Sequence, residues 1–386
     1  MVHETDVTVI GAGMSGVSTA YHLAEGGVDD VVLLEKDGPA SKASGRAAGS
    51  ISGDFFNEYS VGTDIIDYSF EFYRELEAMS DKLDLHSRRG YTMSHTAEGR
   101  EILGELHLRS SSATEMLSPD ELEEREPHLE TEGVTAILAF EEAPRVDPYT
   151  ATTELLSVAT DRGVEFRTEE VADVSKESGE FVVETDAETY RSETVVNTAG
   201  VWARVIANMV GVDFPFSARP SEAIVMRTEE DLDFPEYNCP DIELYGHKEP
   251  NGDIFVGKAG HRHIRDLEAF STDAEESTLQ YVAKHVHQVS EKLTNAEVVN
   301  HWGERCQATP DRHPLLGETE VDGFYLICGL NGTGIMHGPF YGRVIADLVR
   351  GEDPEETFDV PLDFFDPHRF ADADEEDFEI KNAIDW

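Results

Sequence analysis

The hydrophobic pattern at the start of the chain has the form of a strand, a turn, a helix and a second strand. A short apolar run over Asp6–Ile10 ends at glycine, as a buried parallel strand does. The segment after the glycines, "MSGVSTAYHLAEGG", is predicted as a helix, and a second apolar run, Val31–Leu34, follows it. The pattern therefore predicts a parallel strand–helix–strand unit.

The pattern then changes twice along the chain. Up to residue 166 it predicts a helix within 61–80, a strand and a helix within 90–110, a capped acidic helix ending near Pro127, and a helix followed by a strand from Val164. Thr194–Asn197 is a predicted buried strand, followed by a tight turn and a helix from Val201. Residues 215–300 contain strands such as "EAIVM" and "DIFVGKAG", with a helix only within 275–289, which predicts an antiparallel sheet.

The glycines of the first turn have a chemical use. Gly11, Ala12 and Gly13 let backbone N–H groups approach a pyrophosphate, and Gly16 lets the helix pack close to the strand. The helix N-terminus offers unpaired N–H groups and a positive dipole end. Glu35 ends the second strand about 20 residues later, where a carboxylate binds the ribose hydroxyls. A dinucleotide site is predicted. The Glu35 carboxylate argues against NADP, but it does not distinguish NAD from FAD.

A second glycine-rich turn distinguishes these two cofactors. The strand Phe324–Cys328, the turn Gly329–Gly334 and a helix to Arg350 repeat the first pattern after the predicted antiparallel sheet. A flavin needs such a feature, because its N1–C2=O edge becomes anionic on reduction and a helix N-terminus stabilises that charge. The backbone N–H groups of Gly332, Thr333 and Gly334 are the candidates, with a simple packing turn as the alternative.

Composition narrows the class of protein further. The chain of 386 residues has 80 acidic and 30 basic residues, a net charge of −50. The acids are spread along the chain, which is typical of proteins from salt-accumulating halophiles, and nucleic acid is excluded as a partner because no basic stripe exists. Three cysteines without zinc-ligand spacing indicate free thiols in a reducing compartment and no metal site. No signal peptide or transmembrane run is found, so a cytoplasmic location is expected.

Five segments together resemble the D-amino-acid-oxidase superfamily of FAD-dependent oxidoreductases. They are "VIGAGMSGVSTAYHLAEGG", "ASGRAAGSI", "VVNTAGVWA", "TPDRHPLLG" and "GLNGTGIMHGPFYGRVIADL". Within it, the sequence is most similar to the sarcosine, dimethylglycine and dye-linked proline dehydrogenase branch. The resemblance implies an α/β (α+β) fold: a glutathione-reductase-type, Rossmann-like FAD domain with an inserted antiparallel-sheet domain over the flavin. We assign 1–88, 146–214 and 300–370 to the FAD domain, 89–145 and 215–299 to the substrate domain, and 371–386 to an acidic tail.

The resemblance also implies which residues hold FAD. The expected set comprises the two glycine turns, the ribose acid and the loop along the flavin: Gly11, Ala12, Gly13, Met14, Ser15, Gly16, Glu35, Lys36, Ser44, Gly45, Arg46, Ala47, Ala48, Val171, Thr198, Ala199, Gly200, Trp202, Asp311, Asn331, Gly332, Thr333, Gly334, Ile335 and Met336. Non-covalent attachment is expected, because Glu304 stands where sarcosine oxidases carry the linking cysteine and Arg46 where some relatives carry a linking histidine.

The catalytic candidates are Tyr245, Lys258, His261 and His337, each with a structural alternative. Tyr245 either lies on a roof strand over the flavin or is a half-buried sheet tyrosine without a catalytic role. Lys258 and His261 either end a strand whose tip faces the flavin or form a solvated turn. His337 either acts on the substrate or caps the start of the helix. Relatives place a carboxylate-binding arginine at the position of Cys306, and the adjacent Arg305 would face the other side of a strand.

Three functions remain open at this point. The first is an FAD dehydrogenase that moves a hydride to flavin N5 from a small amino acid or N-substituted amine. The second is an FAD dehydrogenase for a 2-hydroxy acid or related alcohol, and the third is a flavin-holding subunit of a larger complex. A dehydrogenase is favoured over an oxidase because Phe255 replaces the lysine of the Lys-x-Gly pattern that activates oxygen in sarcosine-type oxidases. The acceptor is a quinone, an electron-transfer protein or a dye, and homo-oligomerisation is left open.

The net charge of −50 predicts that stability depends on salt. Self-repulsion falls as the Debye length shortens from about 10 Å at about 0.1 M to ~3 Å at about 1 M salt. Thermal unfolding followed by circular dichroism should therefore give a lower Tm in about 0.1 M KCl than in about 2 M KCl. Equal values would contradict a halophilic surface.

Overall fold

The computed structural model describes residues 1–51, 63–110, 113–260 and 262–370. Within these ranges the chain forms eight α-helices and sixteen strands. The helices are α1 (Met14–Glu25), α2 (Thr63–Met79), α3 (Ala97–Arg109), α4 (Pro119–Arg125), α5 (Pro148–Asp161), α6 (Ala203–Met209), α7 (Glu276–His285) and α8 (Gly334–Val349). The strands are β1 (Val2–Ile10), β2 (Val31–Glu35), β3 (His86–Ser94), β4 (Thr114–Leu117), β5 (Ala136–Arg145), β6 (Glu165–Thr168), β7 (Val171–Glu177), β8 (Glu180–Thr185), β9 (Thr189–Asn197), β10 (Ser217–Arg227), β11 (Glu236–Cys239), β12 (Leu244–Lys248), β13 (Ile254–Ala259), β14 (Glu297–Ala308), β15 (Leu315–Glu318) and β16 (Phe324–Cys328).

The first sheet has the parallel centre that the sequence predicts. Its order is β15-β16-β9-β1-β2-β6, and the hairpin β7–β8 joins through β9. The strands from β16 to β6 are parallel to their neighbours, whereas β15 and β8 are antiparallel to theirs. Parallel strands place their carboxyl ends at one edge, so both glycine turns meet there.

Helices and a hairpin cover the two faces of the first sheet. On one face Val7, Val9 and Leu33 pack against α1, α2, α5 and α8 in the largest buried apolar cluster. On the other face Val32 and Leu34 pack against the β7–β8 hairpin and α6. This three-layer arrangement buries the apolar β1 and β2 on both sides, as their uninterrupted hydrophobic runs require.

The second sheet forms a roof over that edge. Its order is β14-β10-β13-β12-β11-β3-β5-β4, and every pairing is antiparallel except β3 with β11, where Gly90 is opposite Glu236. The expected mixed α/β fold with a second, largely antiparallel sheet is confirmed. Residues 300–308, which the sequence grouped with the first sheet, lie in β14 of the roof, and the roof begins at His86 in β3.

Two of the element boundaries that differ from the sequence-based prediction have a clear physical reason. β1 begins at Val2 rather than Asp6, because its exposed first half pairs with Thr189–Ser192 of β9 without apolar burial. The predicted strand within "CPDIELYGH" is divided: Pro240–Ile242 is a short 3₁₀ turn, Glu243 has φ +52°, and β12 begins at Leu244. A left-handed residue cannot continue a ladder, so it ends one segment and starts the next.

The predicted acidic tail 371–386 lies outside the described residues, as does His261. In the part of the chain that the structure describes, no helix has the length and apolar character needed to cross a bilayer.

Candidate active site

A long cleft separates the roof from the carboxyl edge of the first sheet. Its first part, here called the α1 half, is lined by the first glycine turn, Glu35 and the turn after β9. Its second part, the roof half, is lined by the second glycine turn and the inner face of the roof. Ser44, Glu304 and Leu330 line both parts, so the cleft is continuous.

The α1 half depends on close backbone packing at two glycines. Gly11 has φ +108°, and a Cβ there would lie 2.6 Å from the carbonyl oxygen of Thr198. A Cβ on Gly16 would lie 1.9 Å from the carbonyl oxygen of Gly11. The Thr198 hydroxyl donates to the carbonyl oxygens of Ile10 and Gly11, both at 2.9 Å. These contacts press the start of α1 against β1 and β9, so its N–H groups face the cleft.

Side-chain oxygens of the protein accept hydrogen bonds from the backbone N–H groups that would bind a cofactor. A Glu35 carboxylate oxygen accepts from the Ala12 N–H at 3.0 Å, and the Ser44 hydroxyl accepts from the Met14 N–H at 3.0 Å. The helix N-terminus therefore directs its donors at oxygen atoms in the cleft, which is the environment that a pyrophosphate requires.

A cluster of side chains closes the outer end of the α1 half. The Lys36 ammonium lies 3.9 Å from the centre of the Trp202 ring, and the Trp202 indole N–H donates to Glu268 at 2.8 Å. The Arg305 guanidinium lies 4.9 Å from the same ring centre. Because Glu268 belongs to the segment after β13, this cluster joins the roof to the first sheet.

The second glycine turn is held from below by polar side chains. Asn331 has φ +50°, is 1% exposed, and donates through its amide to Thr309 Oγ1 at 3.1 Å. Gln307 accepts from the N–H groups of Gly329 and Leu330. These bonds fix the turn so that the N-terminus of α8, from Gly334 to Met336, lines the roof half.

The loop after the short 3₁₀ helix Ala43–Arg46 is joined to the edge strand of the roof. The Arg46 guanidinium lies 3.1 Å from a Glu304 carboxylate oxygen, and the Trp302 indole N–H donates to the Arg46 carbonyl at 3.0 Å. The other Glu304 oxygen accepts from Arg305 Nε at 2.9 Å. Ala47 and Ala48 continue along the same wall.

Aromatic side chains form the inner face of the roof. Tyr245 lies opposite Gly257, and a Cβ on that glycine would lie 2.3 Å from the tyrosine ring, so only glycine leaves room for it. Burial raises the pKa of Tyr245, which keeps its hydroxyl protonated. Phe255 lies beside it and is stacked on His247, with ring centres 4.7 Å apart.

Lys258 lies on the opposite side of the roof sheet. Along β13 it shares the face of Ile254 and Val256, which pack in the outer core of the roof. Its ammonium is 2.6 Å from a Glu243 oxygen and 4.5 Å from the centre of the Tyr281 ring. Phe255, by alternation, faces the cleft.

His337 lies within α8 and is 5% exposed, but it does not line the cleft. Burial lowers the pKa of His337 to about 4. Among the described residues its Nε2 has no hydrogen-bond partner. Its backbone N–H bonds to the Thr333 carbonyl, as in any first helical turn.

The structure brings most of the predicted FAD residues to the cleft. Three do not line it: Gly16 and Gly45, which pack against backbone carbonyls, and Asp311. The Asp311 carboxylate accepts two bonds from Arg369, at 2.8 and 3.1 Å. The predicted residues that line the cleft are Gly11, Ala12, Gly13, Met14, Ser15, Glu35, Lys36, Ser44, Arg46, Ala47, Ala48, Val171, Thr198, Ala199, Gly200, Trp202, Asn331, Gly332, Thr333, Gly334, Ile335 and Met336.

Sequence reasoning missed several lining residues of the roof half, chiefly Arg219, Ser221 and Trp302. Arg219 is 2% exposed and is opposite Cys306 in the ladder between β10 and β14. Arg305 is opposite Pro220, so it faces away from Cys306, as strand alternation predicts. The alternation of "SARPSEAIVMR" was the available signal, because it places Arg219 on the face of Ser221 and Ala223.

A doubly covered parallel sheet, a roof sheet and two glycine turns at one cleft define a two-domain nucleotide-dependent oxidoreductase fold. The profile of the DAO family, described as "FAD dependent oxidoreductase", matches residues 6–348. The chain therefore belongs to this family of FAD-dependent oxidoreductases, and FAD is its cofactor. The close packing at Gly11 and the N–H groups of α1 fit the pyrophosphate of FAD.

Relatives of known activity are similar along most of this chain. Mitochondrial dimethylglycine dehydrogenase of Rattus norvegicus is 27% identical over 95% of the chain. The 4-methylaminobutanoate oxidase (formaldehyde-forming) of Paenarthrobacter nicotinovorans is 27% identical over 90%. The chain spans only 45% and 44% of the lengths of these two proteins.

A solved structure has a similar fold. The crystal structure of L-proline dehydrogenase from P. horikoshii superposes with a TM-score of 0.85, covering 96% of this chain and 99% of that one, at 22% identity. This likeness extends to both sheets and concerns the fold alone.

The packing at Gly11 predicts a specific loss of FAD binding. Gly11→Ala adds a Cβ against the Thr198 carbonyl, and overpacking of this kind costs roughly 1–3 kcal/mol, which corresponds to a loss of about five- to 150-fold in Kd. Gly27→Ala is the matched control, because Gly27 also has positive φ (+89°) but nothing lies within 4 Å of its Cβ position. Titration of apoprotein with FAD should separate the two variants, and equal affinities would contradict the assignment.

Burial of His337 predicts a pH dependence of stability. Its pKa of about 4 lies below the ordinary 6.5, so the unfolded state binds the proton first and stability is lost as the pH falls from about 6.5 towards 4. Between pH 7.5 and 5 this side chain should cost roughly 2 kcal/mol. In urea unfolding, His337→Met should flatten the pH dependence by that amount, whereas a variant of the exposed His86, His86→Met, should keep it. A slope unchanged by His337→Met would contradict the assignment of this pH dependence to the buried imidazole.

Proposed function

We propose that this protein is an FAD-dependent dehydrogenase that oxidises a small secondary or N-methylated amino acid. The observation that carries the proposal is the roof half of the cleft: an aromatic cavity with an arginine at one end, directly above the second glycine turn. The two relatives above, one named for dimethylglycine and one for 4-methylaminobutanoate, support this substrate class.

Bound FAD supplies a hydride acceptor at flavin N5. The chain's own residues bind and orient the substrate and exclude water from it. Phe255 and Trp302 offer apolar surface for N-methyl or ring carbons, and the Tyr245 hydroxyl, hydrogen-bonded to Ser221 and kept protonated by burial, lies beside them.

Among the described residues that line the cavity, no carboxylate is free to act as a general base. Its two carboxylates are Glu222 and Glu304. Glu222 accepts from the Glu275 N–H and from the Thr278 hydroxyl, while Glu304 is paired with Arg46 and Arg305. The substrate amine should therefore enter in its neutral form, because a hydride leaves the adjacent carbon only when the nitrogen has a free lone pair.

Non-covalent attachment of FAD belongs to the same proposal. Glu304 is 4% exposed and holds its two arginine partners, so it offers no nucleophile to the flavin. Acid precipitation should leave the yellow flavin in the supernatant, and a yellow pellet would contradict this part.

Anaerobic bleaching of the flavin absorbance tests the substrate class. Purified holoprotein in high salt is mixed with sarcosine, N,N-dimethylglycine, proline, and matched 2-hydroxy acids. Bleaching by one or more of the amines is expected, because they fill the aromatic cavity and present a carbon next to a neutral nitrogen. Bleaching by hydroxy acids alone would favour an alcohol dehydrogenase, and no bleaching by any would favour a flavin-holding subunit.

The position of Lys258 predicts slow reaction with oxygen. A fixed positive charge beside the flavin lowers the cost of forming superoxide. Phe255 occupies the cleft face, and Lys258 lies behind the sheet against Glu243. In stopped-flow, the reduced enzyme should be reoxidised slowly by oxygen and quickly by a dye or quinone. Phe255→Lys should raise the oxygen rate by about tenfold or more, and Lys258→Met should leave it unchanged. Peroxide formation at the rate of turnover in the wild type would make the protein an oxidase.

A further inference from the structure

Arg219 is the largest fully buried side chain among the described residues, with 2% exposure. It lies near the start of β10 on the face that lines the roof half of the cleft. In the ladder with β14 it is directly opposite Cys306, which lines the same cavity. Its position therefore places a permanent positive charge at one end of the aromatic cavity.

The hydrogen bonding of this guanidinium is incomplete. Nη2 donates to the main-chain carbonyl of Asn331 at 3.2 Å. Among the described residues, Nε and Nη1 have no acceptor. A buried charge without an anionic partner is costly, so a fold that keeps one generally uses it.

The other arginines along the cleft are different in this respect. Arg46 and Arg305 are both paired with Glu304, at 3.1 and 2.9 Å. Arg145, which does not line the cleft, is also paired, at 3.2 Å from Glu236. Arg219 differs from these arginines, because it bonds to a neutral carbonyl, its Nε and Nη1 have no partner among the described residues, and its side chain lines the cavity.

We propose that Arg219 binds the carboxylate of the substrate. The assignment rests on the proposed amino-acid function and names the residue that selects an anionic substrate. A guanidinium presents two parallel donors that match the two oxygens of a carboxylate. Directly opposite residues on neighbouring strands share a face of the sheet. Arg219 on β10 therefore lies beside Cys306 on β14. The substrate then spans from Arg219 to the aromatic wall of Phe255 and Trp302.

Cys306 provides a reporter that requires no turnover. Its thiol is partly exposed, whereas Cys239 and Cys328 are fully buried and serve as internal controls. The holoprotein in high salt is alkylated with iodoacetate, an anion, or with iodoacetamide, its neutral analogue. Mass spectrometry then gives the rate at Cys306 for each reagent, normalised to the rates with a free thiol.

Capture of the anion by Arg219 should enrich iodoacetate beside the thiol. The normalised iodoacetate-to-iodoacetamide ratio in the wild type should exceed that of Arg219→Gln by about tenfold, with Arg219→Lys between them. Acetate should protect Cys306 in the wild type but not in Arg219→Gln. Arg227→Gln is the matched control: it removes the same charge from the far end of β10, where Arg227 is paired with Asp253 outside the cavity, and it should keep the wild-type ratio.

The possible outcomes distinguish a failure of the Arg219 proposal from a failure of the proposed amino-acid function. An unchanged ratio in Arg219→Gln overturns the role of Arg219, whatever the substrate is. A changed ratio supports anion binding even if no amine bleaches the flavin. If Arg219→Gln does not fold, the Lys variant and acetate protection of the wild type still decide. Where sarcosine bleaches the flavin, Arg219→Gln should raise its half-saturating concentration by about a hundredfold without changing that of sarcosine amide. Equal losses for both overturn the assignment.

Discussion

The architecture depends on the absence of side-chain atoms where α1 leaves β1. The Thr198 hydroxyl bonds to the Ile10 and Gly11 carbonyls, and Gly11 and Gly16 leave no Cβ between helix and strands. This contact fixes the distance between α1, β1 and β9, and so fixes where the helix N–H groups point. Every later feature of the cleft, from the Glu35 acceptor to the turn before α8, is placed relative to this junction.

The roof is held over that junction by polar contacts and by one small apolar cluster, in which Val201 packs with Ala218 and Ile264. The Arg46–Glu304–Arg305 group and the Trp302–Arg46 bond join it on one side of the cleft, and the Lys36–Trp202–Glu268 cluster joins it on another. The main apolar clusters instead lie within each sheet and its own helices. The cleft therefore stays open for a long cofactor while its two walls keep a fixed relation.

Local pattern predicted most of the elements and the position of both glycine turns, because these depend on short stretches of sequence. The first glycine turn, Glu35, and the strand–turn–helix ending in α8 are each contained within about thirty residues, the length of one strand–helix–strand unit. Features set by distant partners were not predicted. Asp311 was expected at the flavin, but Arg369 holds its carboxylate. The alternation of β10 indicates the face of Arg219, but only the register of β10 against β14, which is set by distant residues, places it opposite Cys306.

The one parallel pairing in the roof has a consequence for how the protein is made. β3 pairs with β11, yet four strands of the first sheet, β6 to β9, lie between them in the chain. Contacts so distant in sequence raise the contact order and slow folding. During synthesis the ribosome releases β3, β4 and β5 long before β11. Until β11 emerges, the β3 edge of this three-stranded part of the roof has no partner strand. Exposed edges of this kind promote association between chains. That edge is covered only once β11 has emerged and paired with β3.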